Sequence, residues 1–242
     1  MGPTLQDTVV EIGPGRGALT SILAMRAGRV VAVELDRALA ALLREKFSAN
    51  AAVEIVEADI LDMDPGKLGG AEYLLVGNVP YYITTPILFH ALACRLPKRA
   101  VFLVQREVAA RAMALPGSKS YGALSVNLQV LASVERVFDI PPGAFRPPPK
   151  VDSSVIRVTP LPVPVLRDGE QPRFRSFVQS LFSQRRKQIG TILRSLPPSA
   201  SGVPAATQIA LATVGIPTTE RPEQLSPVQL VELFRQVRQG EA

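Results

Sequence analysis

Four consecutive residues, Asn78, Val79, Pro80 and Tyr81, follow the apolar run "YLLVG" and combine two acceptors with a rigid turn and a ring. The side-chain carbonyl of Asn78 and the backbone carbonyl of Val79 can both accept hydrogen bonds. Proline fixes its own φ and restricts the residue before it, so Pro80 can aim these acceptors in one direction. Tyr81 offers a surface on which a nucleobase can stack. The group could hold the N–H groups of a nucleobase amine so that its nitrogen attacks an electrophile in line, which is mainly a positioning problem.

A glycine-rich turn lies nearer the N-terminus, where "VVEIGPGRGALT" places Gly13, Gly15 and Gly17 between a predicted strand and a predicted helix. Glycine permits a tight turn and lets a ligand approach the backbone, and the following helix offers free N–H groups. The spacing also matches the dinucleotide fingerprint, and a purely structural turn has the same pattern. Glu11, two residues before Gly13, makes the stretch resemble the first motif of Rossmann-like methyltransferases. These residues alone leave both NAD and S-adenosylmethionine open as cofactors.

Two acidic residues follow the next two predicted strands. Glu34 ends the second strand, 21 residues beyond Gly13, where a carboxylate can accept hydrogen bonds from both ribose hydroxyls. Asp59 follows the third strand and can accept from an adenine amino group. Each acid alone could be an ordinary solvated carboxylate. Because ligands of open α/β sheets gather at the carboxyl ends of the strands, we expect both acids, with Leu35 and Ile60 beside them, at one site.

The elements that position these residues alternate along the chain. Strands are predicted at 8–12, 29–35, 53–58, 71–77 and 99–105, and helices near 17–27, 37–47, 84–94, 106–115 and 121–131. Two further strands, 135–140 and 153–160, are expected to form a hairpin at the sheet edge. Strands alternating with helices indicate βαβ units and a mostly parallel sheet.

The proline-rich stretch 161–172 is predicted to be a linker, since its prolines fix φ and remove hydrogen-bond donors. It separates an expected α/β domain at 1–160 from a small all-α domain at 173–242. Within the second domain, 173–195 is predicted to be one amphipathic helical stretch.

Composition limits the class of protein. The 242 residues are 47% hydrophobic, enough for a packed core, and no apolar run approaches the length needed to span a bilayer. A single cysteine, Cys94, excludes an internal disulfide, and with a single histidine, His90, we expect no metal site. These features predict a soluble, cytoplasmic protein.

The net charge of +6 is unevenly distributed along the sequence. It amounts to −4 over residues 1–94, +6 over 95–157 and +4 over 158–242. This distribution predicts a polyanion-binding surface formed mainly after residue 94. Arginines scattered over a solvated surface would give the same net charge in each segment.

Together these stretches resemble the ribosomal RNA adenine N6-dimethyltransferases (the KsgA family), relatives of the Erm resistance methyltransferases. The matching stretches are "VVEIGPGRGALT", "VAVELD", "VEADIL", "GNVPYYITTPIL", "VFLVQREVAARAMALPGSKSYGALSVNLQV", "FRPPPKVDSSVIR" and "FSQRRKQI", from residue 8 to about 190. The resemblance implies a Rossmann-like class I methyltransferase fold with a seven-stranded, mostly parallel sheet and a small helical C-terminal domain. It also implies dimethylation of two adjacent adenines near the 3′ end of 16S (small-subunit) rRNA, with S-adenosylmethionine as cofactor. The expected partner is the immature 30S subunit, and the expected state is a monomer.

The resemblance also implies roles for individual residues. Those expected around the target adenine are Asn78, Val79, Pro80, Tyr81 and Phe145. Those expected at the cofactor are Glu11, Gly13, Gly15, Gly17, Glu34, Leu35, Asp59, Ile60 and Asn78. Those expected to bind RNA are Arg106, Arg146, Lys150, Arg185, Arg186 and Lys187. Without the resemblance, Phe145 reads as a core residue beside a polyproline turn, and "QRRKQ" (184–188) as a solvated basic helix face.

Other readings remain open at this point. Lys150-Val151-Asp152-Ser153 resembles the small-subunit branch, whereas Erm enzymes, which act on large-subunit rRNA, usually read K-V-N-S. A non-catalytic RNA-binding ribosome-assembly factor of the same fold is a second alternative, and an NAD-dependent oxidoreductase is a third. Tyr82 replaces a usual asparagine and is expected to spare the chemistry. Family members usually carry a further segment before the first strand, so we expect this chain to bind S-adenosylmethionine more weakly.

Overall fold

The computed structural model describes residues 2–78, 80, 83–93, 95–146, 148–167, 169–184, 186–195 and 204–239. Within these residues one seven-stranded sheet has the order β3-β2-β1-β4-β5-β7-β6. The strands are β1 (Thr8–Ile12), β2 (Arg29–Glu34), β3 (Val53–Glu57), β4 (Tyr73–Asn78), β5 (Arg99–Gln105), β6 (Ala132–Ile140) and β7 (Ser153–Pro160). The first five are parallel, while β7 is antiparallel to both β5 and β6. The predicted sheet and its edge hairpin are confirmed.

Helices connect and flank these strands. They are α1 (Ala18–Ala24), α2 (Arg37–Lys46), α3 (Pro65–Gly69), α4 (Thr84–Ala91), α5 (Arg106–Ala112), α6 (Ala123–Gln129), α7 (Gln171–Phe182), α8 (Ile189–Ser195), α9 (Pro204–Val214) and α10 (Pro227–Gln239). Short 3₁₀ turns occupy Ile60–Asp62, Pro142–Ala144 and Pro222–Gln224. No helix in these ranges is long and apolar enough to cross a membrane.

The central strands are buried because their side chains are apolar on both faces, as parallel sheets covered by helices require. Val9 and Val30 are fully buried and Leu74 nearly so. They pack with Leu23 and Ala27, which lie on or just after α1. This core joins β1, β2 and β4, whose carboxyl ends carry the glycine turn, Glu34 and Asn78.

The chain divides into two compact units, Met1–Ala109 with Ala132–Pro160, and Ala110–Leu131 with Leu161–Ala242. The division at residue 160 was expected, but the assignment of 110–131 to the second unit differs from the prediction. The reason is tertiary: fully buried Tyr121 donates its hydroxyl to the Leu225 carbonyl at 2.8 Å and meets the Phe182 ring edge-on. A contact between residues about one hundred positions apart has no local sequence signal.

The segment predicted to be a linker, 161–172, packs within the second unit. Leu166 is buried, and Arg235 donates to the Val165 carbonyl and forms an ion pair with Glu170 at 2.8 Å. Helix α7 begins inside the segment, at Gln171. Prolines predicted the absence of regular structure before α7, but they could not indicate that the segment would be held by α10.

Candidate active site

The strand register brings the sequence-selected residues to one edge of the sheet. Ile12 pairs with Val33 and with Gly77, and Glu34 pairs with Glu57. The residues at or just after these pairs therefore share the carboxyl edge. A cavity of about 350 Å³ lies there, lined by Ile12, Gly13, Val33, Glu34, Leu35, Asp36, Ala58, Asp59, Ile60, Pro80, Ile83 and Ile87.

The backbone conformation of the turn explains why it contains three glycines. Gly13, Gly15 and Gly17 have φ of 67°, 59° and 73°, in the left-handed region that side-chain-bearing residues rarely adopt. A Cβ on Gly13 would stand 3.5 Å from the backbone oxygen of Asn78, and one on Gly17 would stand 2.7 Å from Leu43 Cδ2. The turn is thus closely approached by β4 on one side and by α2 on the other.

Glu34 fastens this turn to the start of α2. Its side chain is almost fully buried, with Oε2 accepting from the Gly15 N–H and Oε1 from the Asp36 N–H, each at 3.0 Å. Asp36 in turn caps α2 by accepting from Ala38 N and Leu39 N. Each carboxylate oxygen of Glu34 can accept a second hydrogen bond. Glu34 can therefore hold the turn and receive ligand hydroxyls together.

Asp59 is fixed in a similar way on the neighbouring strand end. Its Oδ1 accepts from the Leu61 N–H at 2.9 Å, which caps the 3₁₀ turn that begins at Ile60. The half-buried carboxylate retains capacity for a ligand N–H. Ile60 is buried and Leu35 is largely exposed, and both line the cavity, so an apolar ring has surfaces to contact beside the two acids.

Glu11 lies behind the cavity lining. It is 2% exposed, and its Oε2 has no hydrogen-bond partner in the described part of the chain. Burial raises the pKa of Glu11 to about 7, with Thr20 partly opposing the shift and the Glu34 charge adding to it.

Replacing Glu11 with glutamine is expected to change how stability depends on pH. The folded protein holds the Glu11 proton more tightly than the unfolded chain, whose pKa is near 4.5, so rising pH between 4.5 and 7 removes stability. Above pH 7 the ionisation of Glu11 lowers the free energy of unfolding of the parent by about 3 kcal/mol at most. Urea unfolding of the two proteins is measured from pH 5 to 8.5. The free energy of unfolding of the variant should rise relative to that of the parent as pH rises. A difference that is independent of pH would contradict this, and Glu45→Gln, at an exposed carboxylate, is the control.

Lys46 supports the glycine turn from the far end of α2, and sequence reasoning missed it. Its Nζ donates to the carbonyls of Arg16 and Gly17 at 3.0 and 3.1 Å and lies 5.2 Å from the centroid of the Phe47 ring. A lysine in the last turn of a helix is ordinary, because it complements the helix dipole. The contact between Lys46 and the glycine turn is therefore apparent only from the folded structure.

Asn78 is the last residue of β4 and is exposed. Beyond it, the Pro80 carbonyl accepts from Ile83 N at 3.1 Å and from the Thr84 hydroxyl at 3.3 Å, which joins the turn to the start of α4. Val79, Tyr81 and Tyr82 lie outside the described residues. Pro80 lines the cavity, whereas Asn78 is not among the lining residues, although its backbone oxygen would lie 3.5 Å from a Cβ on the lining residue Gly13.

Phe145 lies in the loop between β6 and β7. Ser153 at the start of β7 pairs with Ile140 and with Gln105, the last residue of β5. The loop 141–152 therefore starts and ends at the carboxyl edge that carries Asn78. Phe145 is half-buried, and its N–H donates to the Pro142 carbonyl at 3.1 Å.

The basic residues predicted to bind RNA belong to both units. Arg106 pairs with Asp152 at 3.1 Å, and Arg146 and Lys150 are exposed in the 141–152 loop. Arg186 and Lys187 are exposed in the second unit, and Arg185 lies outside the described residues. By unit, the first has 15 Lys and Arg against 15 Asp and Glu, and the second has 12 against 6. The net charge of +6 therefore falls entirely on the second unit.

The prediction of one helix through 184–188 is wrong. Helix α7 ends at Phe182 and α8 begins at Ile189, and the described residues between them form turns. Lys187 N donates to the Gln184 carbonyl, while Ile189 N donates to the Glu220 carbonyl at 2.7 Å. The backbone there is held by a distant segment, which overrides the local helical preference.

Comparisons with known proteins agree on one family. The sequence model for "Ribosomal RNA adenine dimethylase" matches residues 2–236. A protein of Acidobacterium capsulatum named "Ribosomal RNA small subunit methyltransferase A" is 46% identical over 94% of this chain and 80% of its own length. The protein of that name in Geobacter sulfurreducens is 44% identical over 95% of this chain and 84% of its own.

Two solved structures extend the comparison. The 23S rRNA methyltransferase ErmE is 30% identical, with a TM-score of 0.69 over 98% of this chain and 93% of its own. A dimethyladenosine transferase from Plasmodium falciparum shares the fold, with a TM-score of 0.82 at 22% identity over 99% of this chain and 92% of its own.

Proposed function

Because this chain belongs to the ribosomal RNA adenine dimethylase family, we propose that it dimethylates the N6 atoms of two adjacent adenines near the 3′ end of small-subunit rRNA. The observation that carries the proposal is that Glu34 and Asp59 line one cavity together with Gly13, at the sheet edge where β4 ends in Asn78. The proposed substrate is the immature 30S subunit in the cytoplasm, and the proposed enzyme is a monomer.

The residues at the cavity fit S-adenosylmethionine by their chemistry. In this proposal Glu34 accepts from the ribose hydroxyls and Asp59 from the adenine amino group. The side chains of Leu35, Ile60 and Ile83 line the cavity as apolar surfaces for the adenine ring. When bound, S-adenosylmethionine supplies an electrophilic methyl group on a sulfonium. The chain's own task is to hold that ligand and to orient the substrate amine.

Asn78 and the turn after it are proposed to orient the target amine. The side-chain oxygen of Asn78 and the backbone oxygen of Val79 accept the two N–H groups, which directs the nitrogen lone pair along one line. Tyr81 and Phe145 stack on the two faces of the base, at about 1–3 kcal/mol per stacking contact. No strong base is required, because the N–H proton becomes acidic once nitrogen has gained the methyl group and then leaves to solvent.

Small-subunit rRNA is favoured over large-subunit rRNA as the substrate. The relatives named for the small subunit are 46% and 44% identical to the chain, against 30% for the 23S rRNA methyltransferase ErmE. The Asp152 of the Lys150–Ser153 stretch also makes an ion pair with Arg106 at the start of α5. An asparagine at this position, as Erm enzymes usually have, would lose the charge.

The substrate is tested with S-adenosylmethionine carrying a labelled methyl group. The protein is incubated with unmethylated 30S subunits and, separately, with unmethylated large-subunit RNA. We expect label in N6,N6-dimethyladenosine of the small-subunit RNA alone. Label in large-subunit RNA would assign the chain to the Erm reaction, and RNA binding without label would favour the assembly-factor alternative.

Replacing Lys46 with methionine is expected to weaken S-adenosylmethionine binding about fivefold. The substitution keeps the aliphatic stem but removes both hydrogen bonds to the glycine turn, each charge-assisted and partly exposed. Lys46→Arg should retain most of the affinity, because it preserves a charged donor. Arg44→Met is the control, because Arg44 lies on the same helix as Lys46 and its substitution removes only a surface ion pair with Glu57 of β3. Calorimetric titration measures the Kd, and equal affinity for Lys46→Met and the parent would contradict the role.

A further inference from the structure

A second cavity of about 350 Å³ lies in the second unit, between α7 and α10. Its lining includes two arginines, two serines and two phenylalanines, namely Arg173, Arg238, Ser176, Ser180, Phe177 and Phe234. It is as large as the cavity at the sheet edge, and none of the described residues of the basic 184–188 stretch lines it. None of the roles described above uses it.

The cavity is cationic. Arg173 is exposed, and the guanidinium carbon of Arg238 lies 5.5 Å from the centroid of the Phe234 ring. The acid one turn away, Glu170, is occupied by Arg235 through hydrogen bonds of 3.0 and 2.8 Å, which lower the pKa of Glu170. Among the described residues the lining contains no carboxylate. An anionic group is therefore the favoured occupant.

The two serines add acceptors. Ser176 donates its hydroxyl proton to the Pro172 carbonyl at 3.1 Å, and Ser180 donates to the Ser176 carbonyl at 3.0 Å. With their protons committed to the backbone, the Oγ atoms keep lone pairs for a ligand hydroxyl or amino group. The occupant should therefore carry hydrogen-bond donors as well as a negative charge.

The apolar floor of the cavity is formed by closely packed rings. Phe177 and Phe234 are each 3% exposed, and their ring centroids are 5.6 Å apart. Phe174 packs edge-on against Phe234 at 5.5 Å, which holds that ring in place. Because so little of each ring is exposed, an occupant with an apolar edge, such as a sugar or a base, can touch these rings at the floor of the cavity but cannot stack on an open face.

We propose that this cavity binds one nucleotide of the RNA substrate, other than the adenines that are methylated. Arg173 and Arg238 hold its phosphate, its ribose hydroxyl donates to Ser176 or Ser180, and its sugar or base lies against Phe177 and Phe234. The identity of the RNA rests on the proposed function. The occupant's chemistry rests on the cavity and on the second unit's charge of +6.

A nucleotide fits this surface better than an acidic protein does. A stable protein interface buries at least about 1,000 Å² over a broad area, whereas a concavity of this size suits one small group. The mixture of cations, acceptors and an apolar floor also matches a nucleotide, whereas an acidic side chain would use the cations alone.

The experiment measures binding of a fluorescent single-stranded RNA that has the 3′-terminal sequence of small-subunit rRNA. Arg173→Gln and Arg238→Gln should each weaken binding about fivefold and lower the log–log salt slope by about 0.7, the contribution of one lost phosphate contact. Ser176→Trp fills the cavity without changing charge, so it should weaken binding similarly while leaving the salt slope unchanged. Arg194→Gln on α8 removes the same charge away from the cavity and should have a smaller effect. Equal melting temperatures and equal S-adenosylmethionine affinity show that each variant is folded.

Each remaining outcome overturns the assignment. Parent-like RNA affinity in both arginine variants and in Ser176→Trp would exclude the cavity as an RNA site, even while methyl transfer to 30S subunits upheld the proposed function. If the two arginine variants lost no more RNA affinity than Arg194→Gln, and Ser176→Trp lost none, the result would show only a general attraction between positive charge and RNA, without a site at the cavity. Displacement of RNA by polyglutamate as efficiently as by unlabelled RNA would assign the surface to an acidic protein. A parent that neither binds RNA nor methylates it would overturn both proposals.

Discussion

Asn78→Ala should lower kcat for methyl transfer to 30S subunits at least about 100-fold, because methylation depends on holding the amine in line and the substitution removes one of its two acceptors. Asn78 is exposed at the end of β4, so the loss should come without a large change in stability. Its expected cofactor contact predicts a smaller loss of S-adenosylmethionine affinity. Single-turnover transfer of labelled methyl groups measures the effect on chemistry.

Asn78→Asp provides the matched comparison for this experiment. Aspartate keeps an acceptor oxygen in the same place, so it should retain a measurable part of the rate that alanine loses. A rate for Asn78→Ala within a few-fold of the parent would remove Asn78 from the proposed mechanism. Equal losses for alanine and aspartate would show that the amide N–H₂, rather than the acceptor oxygen, is what the reaction needs.

Glu34→Ala should have the largest effect on the cofactor, raising the Kd for S-adenosylmethionine at least about 30-fold. The substitution removes the proposed ribose acceptor and also releases the Gly15 and Asp36 N–H groups, which loosens the glycine turn and the start of α2. Leaving these part-buried donors without their partner should also cost about 1–3 kcal/mol in the free energy of unfolding. Calorimetric titration and urea unfolding measure the two effects separately.

Two further variants separate the roles of Glu34. Glu34→Gln keeps one acceptor oxygen, so it should retain part of both the affinity and the stability. Glu57→Ala on the neighbouring strand removes only an exposed ion pair with Arg44 and should behave like the parent. If Glu34→Ala had the same cofactor affinity as the parent, Glu34 would stabilise the fold without binding the cofactor.

The sheet could be predicted because its signals are local. The strand 8–12 was predicted with the bounds found in β1, and 99–105 with those of β5. Apolar β-rich runs separated by amphipathic stretches have few alternatives to a covered parallel sheet. The glycine turn was equally local, since three positions with positive φ need three glycines whatever surrounds them.

Other features depended on contacts between distant residues. Tyr121 joins the second unit through Leu225, and the turns around 184–188 follow from the bond between Ile189 and Glu220. Lys46 reaches back 29 and 30 residues to the glycine turn. The second cavity needs α7 and α10 packed side by side.

The sequence by itself determined the order of strands and helices, the glycine turn and the residue types at the strand ends, because propensity, periodicity and backbone conformation act over a few residues. Only the tertiary structure decided that Glu34 holds Gly15 and Asp36 together, that Glu11 is buried with a raised pKa, and that two arginines meet two phenylalanines in a second cavity. Burial and hydrogen-bond partners depend on which distant segments pack together. Local patterns along the sequence do not show which distant segments will be in contact.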